Sequence, residues 1–558
     1  MSADHANHAD HTVLIVGAGP TGLTAACALL RHGVPVHVVD RRRGPATAPK
    51  ALVLWSGALE VLDRLEVATP LAERALPLAG ASYWSRGRKV AGVRFGGLSN
   101  TRFPGPLCVP QPVTEELLYA RLTQLGGAVS WNTEVSSVTQ SPTQEGDTVT
   151  ALLRDADGQE STTTASWLIA ADGMHSTVRG TLGVDFEGAT YPRDFLLGDV
   201  VLDPAGGAEL PDREAQYHLT PEGVLVVVSL PEGGHRVFFD QPAGTRADRP
   251  EKPELQQLLD ARGPGKWRIS EVWWSSRFQV HTKVAAAFRS GRVFLAGDAA
   301  HVHSPAGGQG LNTGVQDGYD IGWKLAAAIR SGSAAPLDSY QEERRPAAVR
   351  AVRNADRQTK LWLVRNPLVR RLRDTLLRRL SKSGALERRI IPELAQVDLD
   401  HSGSPAVQQS SAPADGVRAG RRVPDLPLTP VHGTKAATLH TYLAAGKHTV
   451  VVQDDGRPAT QAARAAEEAR RATHPELSDV LLVRTGPTDT PTAGNAPAYD
   501  LASTPAGSTA RTPQAVYVRP DGTVGARVPL DGPGRVAELL AHLPVLAPAP
   551  SGDLPGQR

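Results

Sequence analysis

Three glycines in "GAGPTG", Gly17, Gly19 and Gly22, have GxGxxG spacing, and Asp40 follows 18 positions after the last. Residues of these types at this spacing handle a phosphate beside a sugar. Gly17 permits a tight turn, Gly19 lets backbone approach a pyrophosphate, and Gly22 lets a helix pack closely on a strand. The helix start then offers free N–H groups and the positive end of its dipole. Asp40 can accept hydrogen bonds from a ribose diol. NAD(P) and FAD both satisfy this pattern, and Arg41, Arg42 and Arg43 after Asp40 separate neither. Two later stretches also carry chemistry. "AADGMHSTVR" places Asp172 and Arg179 around an Asp-Gly turn. "LAGDAAHVHSPAGGQGLN" combines Gly297 and Asp298 with His301, His303, Pro305 and three glycines, Gly307, Gly308 and Gly310.

Each stretch needs an element to hold it. Val13–Val16 is a short β-branched run, as in a buried parallel strand. "LTAACALLRHG" has helical spacing with a stop at Gly33. Residues 167–171 read as a strand leading to Asp172. "RVFLA" reads as another, delivering Gly297 and Asp298 to the sheet's carboxyl end, where ligands bind in open α/β sheets. "VPQPVTEELLYARLTQLGG" predicts a helix starting at Thr114, capped by it and closed by Gly126.

From about 187 to 283 apolar and polar residues alternate, as in antiparallel strands with one buried face, and residues 81–110 add more strands. Trp84, Phe239, Trp273, Trp274 and Phe278 are aromatic candidates for a cavity wall, with core packing as the ordinary alternative. Residues 359–391 are basic and amphipathic, interrupted by Pro367. They read as helix covering the core with an Arg face in water, so no stable membrane association is expected. Ser, Pro, Ala and Gly then dominate a linker, followed by a strand, a charged helix (458–473), a strand and a hairpin with Asp-Gly at its turn.

A chain of 558 residues exceeds one ordinary core, which implies two or three domains. Lys plus Arg number 60 and Asp plus Glu 58, so no overall field invites nucleic acid. The only two cysteines, Cys27 and Cys108, form neither CxxC nor a zinc spacing, so they read as inert thiols of a reducing, cytoplasmic protein with no metal site. The His-bearing N-terminus lacks the basic start and apolar core of a secretion signal, and no apolar run is long enough to span a membrane.

Taken in order, "GAGPTG", "AADGMHSTVR" and "LAGDAAHVHSPAGGQGLN" resemble the group A FAD-dependent aromatic hydroxylases. The similarity is to the long branch with phenol hydroxylase, rifampicin monooxygenase and aromatic polyketide hydroxylases. The resemblance implies an α/β fold with three parts. A Rossmann-like FAD-binding domain of glutathione-reductase type spans 1–82, 111–186 and 281–400. An antiparallel-sheet substrate domain spans 83–110 and 187–280. A linker, 401–424, leads to a thioredoxin-like domain without CxxC at 425–550. The implied cofactor contacts are Thr21 and Gly22 at the pyrophosphate, Asp40 and Arg41 at the ribose, backbone near Val135 at adenine, and Gln111 at the flavin. Asp172 and Arg179 would serve FAD and NAD(P)H, and Asp298 the ribityl chain. Pro305, Gly308 and Gly310 would lie beside the ring, with Leu311 and Asn312 opening a helix toward its pyrimidine side. His301 and His303 are expected to be structural. Lys50 replaces the usual Arg, keeping the charge without the fork, and Gly57 stands where relatives often have Arg. The implied activity inserts one atom of O₂ into a phenolic or polyketide-derived aromatic substrate through a flavin C4a-hydroperoxide, consuming NAD(P)H. Baeyer–Villiger oxygenation, epoxidation and simple electron transfer are the alternatives. A homodimer stays open, and no residue is assigned as acid or base.

Overall fold

The computed structural model describes residues 11–143, 146–206, 209–244, 247–408, 418–430, 438–454, 478–484, 498–501 and 514–530, with Ala465, Ala469, Arg535, Val536 and Leu539. The opening β-branched run forms strand His11–Val16 at the centre of a parallel set. Across the sheet the order is Val293–Leu295, Glu160–Ala170, His11–Val16, Val36–Asp40 and Val129–Trp131. Parallel strands are covered on both faces, and Val13, Leu14 and Ile15 are accordingly fully buried. The four strands that end at Val16, Asp40, Ala170 and Leu295 all deliver singled-out residues to the same sheet edge.

Helix Pro20–Arg31 covers one face by crossing the long helix Gln309–Ser331 at close range, and glycine makes the approach feasible. Gly314, Gly318 and Gly322 recur every four residues along the long helix. A Cβ on Gly318 would stand 2.3 Å from the Thr21 carbonyl oxygen, and one on Gly322 2.7 Å from Ala28 Cβ.

The second sheet has eight strands, dominated by two of 19 residues each, Phe186–Pro204 and Trp267–Ala285, paired antiparallel. One pairing departs from the all-antiparallel expectation: Glu214–Leu219 runs parallel to Gly80–Ser85. That strand starts at Gly80, ahead of the expected boundary at 83. The helix expected from Thr114 starts earlier, as Gln111–Gln124. Pro112 suits its first turn, and Thr114 is a buried interior residue whose hydroxyl caps nothing. The basic segment splits at Asn366-Pro367 into helices Ala335–Trp362, Pro367–Lys382 and Ala385–Ala395. Its water-facing side is not the simple Arg face expected, because Leu368, Leu372 and Leu376 share it.

The C-terminal sheet orders six strands as Leu428–Pro430, Ala498–Leu501, Ser478–Arg484, His448–Asp454, Gln514–Val518 and Val524–Pro529. Of the expected helix 458–473 only Ala465 and Ala469, both helical, are among the described residues. The hairpin joining the last two strands drives Arg519 into the first domain. Arg519 is 1% exposed, makes two 2.7 Å bonds to Glu343 and lies over the Trp323 ring. Asp521 also accepts from it, Lys324 reaches Glu343 at 2.9 Å, and Tyr319 donates to the Pro520 carbonyl. Among the described residues, a buried charge cluster therefore joins the units, each charge having an opposite partner.

Candidate cofactor and substrate site

Gly17 has φ +103°, and a Cβ there would lie 2.3 Å from the Ala171 carbonyl oxygen; one on Gly22 would lie 1.9 Å from the Gly17 carbonyl oxygen. Both positions therefore require glycine for packing. Gly19 differs: a Cβ on it would meet nothing within 4 Å, so the middle glycine faces open space at the start of helix Pro20–Arg31, which no side chain caps. That is the cradle a pyrophosphate needs. Gly297, φ +59°, would bring a Cβ to 2.5 Å from Thr21 Oγ1, and Gly314 does the same. The stretches at 17–22 and 297–312 thus converge, and Thr21 is the wedge between them.

Beyond Pro305, Gly307 (φ +77°) and Gly308 (φ +65°) turn left-handed, and helix Gln309–Ser331 starts with no capping side chain. The first N–H groups of such a helix are unsatisfied within it, leaving those of Gly310 and Leu311 toward the site. Asn312 is committed elsewhere: its amide donates to Val53 and Gly308 carbonyls, and its oxygen accepts from Trp55 N–H. Trp55 Nε1 donates to the Gly307 carbonyl. Asn312 and Trp55 therefore shape the glycine loop from behind.

The carboxylates also sort by partner. Asp298 is exposed at its strand end without a hydrogen-bond partner among the described residues. Desolvation by the protein around it raises its pKa, against the pull of His301 and Lys50. Lys50 is exposed, and its loop is clamped from the second sheet by Arg236. That side chain donates to the Pro49 and Lys50 carbonyls while paired with Asp199, both being buried. Asp172 accepts from Val178 N–H through one oxygen while the other, also buried, has no partner among the described residues. Burial raises its pKa, and bonds from Ser176 and Val178 oppose that. Arg179 turns inward, donating to Ala299 and Met174 carbonyls and covering the Phe186 ring at 3.9 Å. It ties the Asp-Gly turn to the Gly-Asp turn.

At the far end, Asp40 accepts from Ala18 N–H at 2.7 Å and from Arg42. Arg42, rather than the largely exposed Arg41, is the cation there. It also reaches Glu115, a buried carboxylate that accepts from Gln111, and Gln111 in turn accepts from Ala51 N–H. Val135 is a buried ladder residue paired with Leu153; the backbone beside Asp40 is that of Asn132 and Thr133 instead. At Gly57 a Cβ would stand 2.8 Å from the Ala395 carbonyl oxygen, so no larger residue fits.

His301 Nε2 donates to Asp317 at 2.7 Å, and Asp317 also accepts from Arg344 at 2.8 Å and Gly297 N–H at 3.1 Å. Burial acts to raise the Asp317 pKa, but the Arg344 and His301 charges hold it below the ordinary range. His301 thus anchors the Gly297 turn. His303 bonds the Ser304 carbonyl, and burial lowers its pKa to about 4.

Strand alternation sorts the aromatic candidates. Phe239 faces the cluster under helix Lys252–Arg262, and Trp273 is 46% exposed, so neither joins the opposite face. Trp274 and Phe278 do, beside Phe195, Phe238, Tyr217 and Trp362, and this cluster includes Ala306 next to Pro305. Trp84 stacks on His218.

A family model described as "FAD binding domain" matches residues 10–355. The chain belongs to the FAD-binding monooxygenase family. This monooxygenase is 36% identical to 6-methylpretetramide 4-monooxygenase of Streptomyces rimosus over 74% of its own length and 73% of the relative's. The anhydrotetracycline hydroxylase OxyS of Streptomyces rimosus superposes with TM-score 0.75 at 28% identity, covering 97% of this chain and 99% of that one. Dialkyldecalin synthase of Streptomyces rugosporus is 30% identical over 93% of this chain and 96% of its own. The protein is thus an FAD-dependent monooxygenase with NAD(P)H as reductant, and the open Gly19 cradle and the two unpartnered carboxylate sites fit FAD.

Proposed function

We propose that this monooxygenase hydroxylates a phenolic or polyketide-derived aromatic ring. The observation that carries the reading is the junction of the Pro305–Asn312 turn with the aromatic face through Ala306, which sets an apolar wall beside the expected flavin ring. When bound, FAD takes up reducing equivalents from NAD(P)H and activates O₂ for transfer to an electron-rich ring. The chain supplies position and dryness. Gly19 and the start of helix Pro20–Arg31 would hold the pyrophosphate, Asp298 a hydroxyl of the linking chain, and the uncapped start of helix Gln309–Ser331 the ring's electron-rich edge. Gln111, Glu115 and Arg42 brace the adenosine end, and Asp172 offers its free oxygen. The half-buried Trp274 and Phe278 would receive the substrate's faces, backed by the buried Phe195, Phe238 and Trp362, which exclude water. Burial pushes the Tyr217 phenol pKa well up and that of Tyr83 up to about 12, so both stay neutral, and their rings stack on one another.

The C-terminal sheet supports a thioredoxin-like reading. Parallel strands His448–Asp454 and Ser478–Arg484 are followed by an antiparallel hairpin beside the first of them. With no cysteine after Cys108 it does no thiol redox work, which leaves packing or contact between copies as its role.

A second reading, ring closure of a polyketide without oxygen transfer, is favoured by the nearly full-length match to a decalin-forming relative. One assay separates them. Aromatic polyketide substrates should stimulate NAD(P)H oxidation and yield a product carrying one atom from labelled O₂. A product isomeric with its substrate, formed without NAD(P)H, would replace the hydroxylase reading.

A further inference from the structure

Helix Pro367–Lys382 is amphipathic the wrong way round. Its inner face holds Arg370, Arg373, Asp374 and Leu377, one apolar residue in four, and is tied to the second sheet by polar bonds. Ser85 donates to Asp374 at 2.7 Å, and the Ser381 hydroxyl pairs with Gly92 backbone. Its outer face carries Leu368, Leu372 and Leu376, which are 71%, 70% and 55% exposed, with Val369 at 46%. Residues four apart form one stripe along a helix, so the three leucines are contiguous. Among the described residues, only one other large hydrophobic, Trp273, is comparably exposed.

The stripe belongs to a well-defined helix rather than a frayed end. Asn366 caps it by accepting from Leu368 and Val369 N–H, and Pro367 pre-sets its first turn. Beside the leucines run Arg371, Arg378 and Lys382 on a second stripe, with Arg379 and the preceding Arg365 close by, all five exposed. No acid is exposed on this helix, since Asp374 is buried and bound to Ser85 and Arg373. Of the carboxylates around it, Glu387 is taken by Arg94 and Asp356 by Lys360, while Glu222 faces Arg370 on the inner side.

We infer that this helix is a docking surface for an anionic lipid membrane, bound reversibly in the plane of its interface. An apolar stripe flanked by cations sinks its leucines to the acyl boundary while Lys and Arg meet the headgroups. A second copy of the chain fits less well, because the face brings five cations and no carboxylate to neutralise them. Docking here would set the aromatic-lined domain against the membrane, since the helix's other side packs on strand Arg88–Arg94.

The test is vesicle co-sedimentation of the FAD-loaded, full-length protein at low salt. It should pellet with phosphatidylglycerol-containing vesicles and stay in solution with phosphatidylcholine alone. A triple variant, Leu368→Gln, Leu372→Gln and Leu376→Gln, should weaken that binding by about tenfold or more while retaining FAD. A charge variant, Arg371→Gln, Arg378→Gln and Lys382→Gln, should also weaken it and flatten its salt dependence. Failure of the wild type to pellet with anionic vesicles, or wild-type binding by the leucine variant, would overturn the assignment. So would a wild-type dimer in sedimentation velocity that the leucine variant converts to monomer, because a second copy would then cover the face.

Discussion

Asp298 is the residue on which the site's polarity turns. Among the described residues it has no hydrogen-bond partner, and the surrounding protein already disfavours its charge, so a ligand hydroxyl would satisfy it. Replacing Asp298 by Ala should weaken FAD affinity roughly ten- to a hundredfold, the usual worth of a hydrogen bond to a charged group. Flavin fluorescence on titrating apoprotein checks this; unchanged affinity would remove Asp298 from the site. The two glycine loops that meet at Thr21 were readable because glycines and turn acids sit next to each other in sequence. Arg42, Glu115 and Trp55 were not. Arg42 has the same type as both neighbours, and only the direction of its side chain after the strand selects it. Glu115 and Trp55 meet their partners across 73 and 252 positions, a separation no local pattern encodes.

The elements are held by close approach. Gly318→Val should cost about 3 kcal/mol, since even a Cβ there would overlap the Thr21 carbonyl. Gly180→Ala, in a helix with open space around it, should be neutral or slightly stabilising. Denaturant midpoints of the two variants compare them directly. Strand periodicity fixed the parallel core and the alternating sheet well, because period 2 and short β-branched runs are local signals. It did not find the parallel pairing at Gly80–Ser85. A strand's own sequence does not declare its neighbour's direction. The start of helix Gln111–Gln124 was missed for a related reason. Thr114 has the type of a capping residue, but Pro112 already opens the first turn, and burial commits Thr114 to the interior.

Across the whole molecule, histidines shielded from water, His448 fully and His32 and His401 in part, make the assembly acid-sensitive. Burial lowers the pKa of His448 to about 3 and of His32 and His401 to about 4. Below the unfolded value near 6.5 the unfolded chain binds protons that the folded one refuses. Stability therefore falls as pH drops from about 6.5 toward 4. At pH 5.5, His448 alone should account for roughly 1 kcal/mol of that loss. Thermal melts at pH 7.5 and 5.5 should show a lower Tm in acid, and His448→Gln should have the shallower pH dependence; parallel slopes would exclude His448 as a source. The FAD-binding fold was readable from motif order, whereas the way the C-terminal sheet docks was not, because Arg519 sits in an unremarkable hairpin.

That hairpin limits how such proteins can be recombined. Arg519, paired with Asp521 in its own hairpin, completes a charge set whose remaining members, Glu343, Lys324 and Asp320, lie inside the flavin-binding unit. A chimera that borrows its tail from a relative must import a matching tip, or leave a carboxylate stranded in the interior of its host.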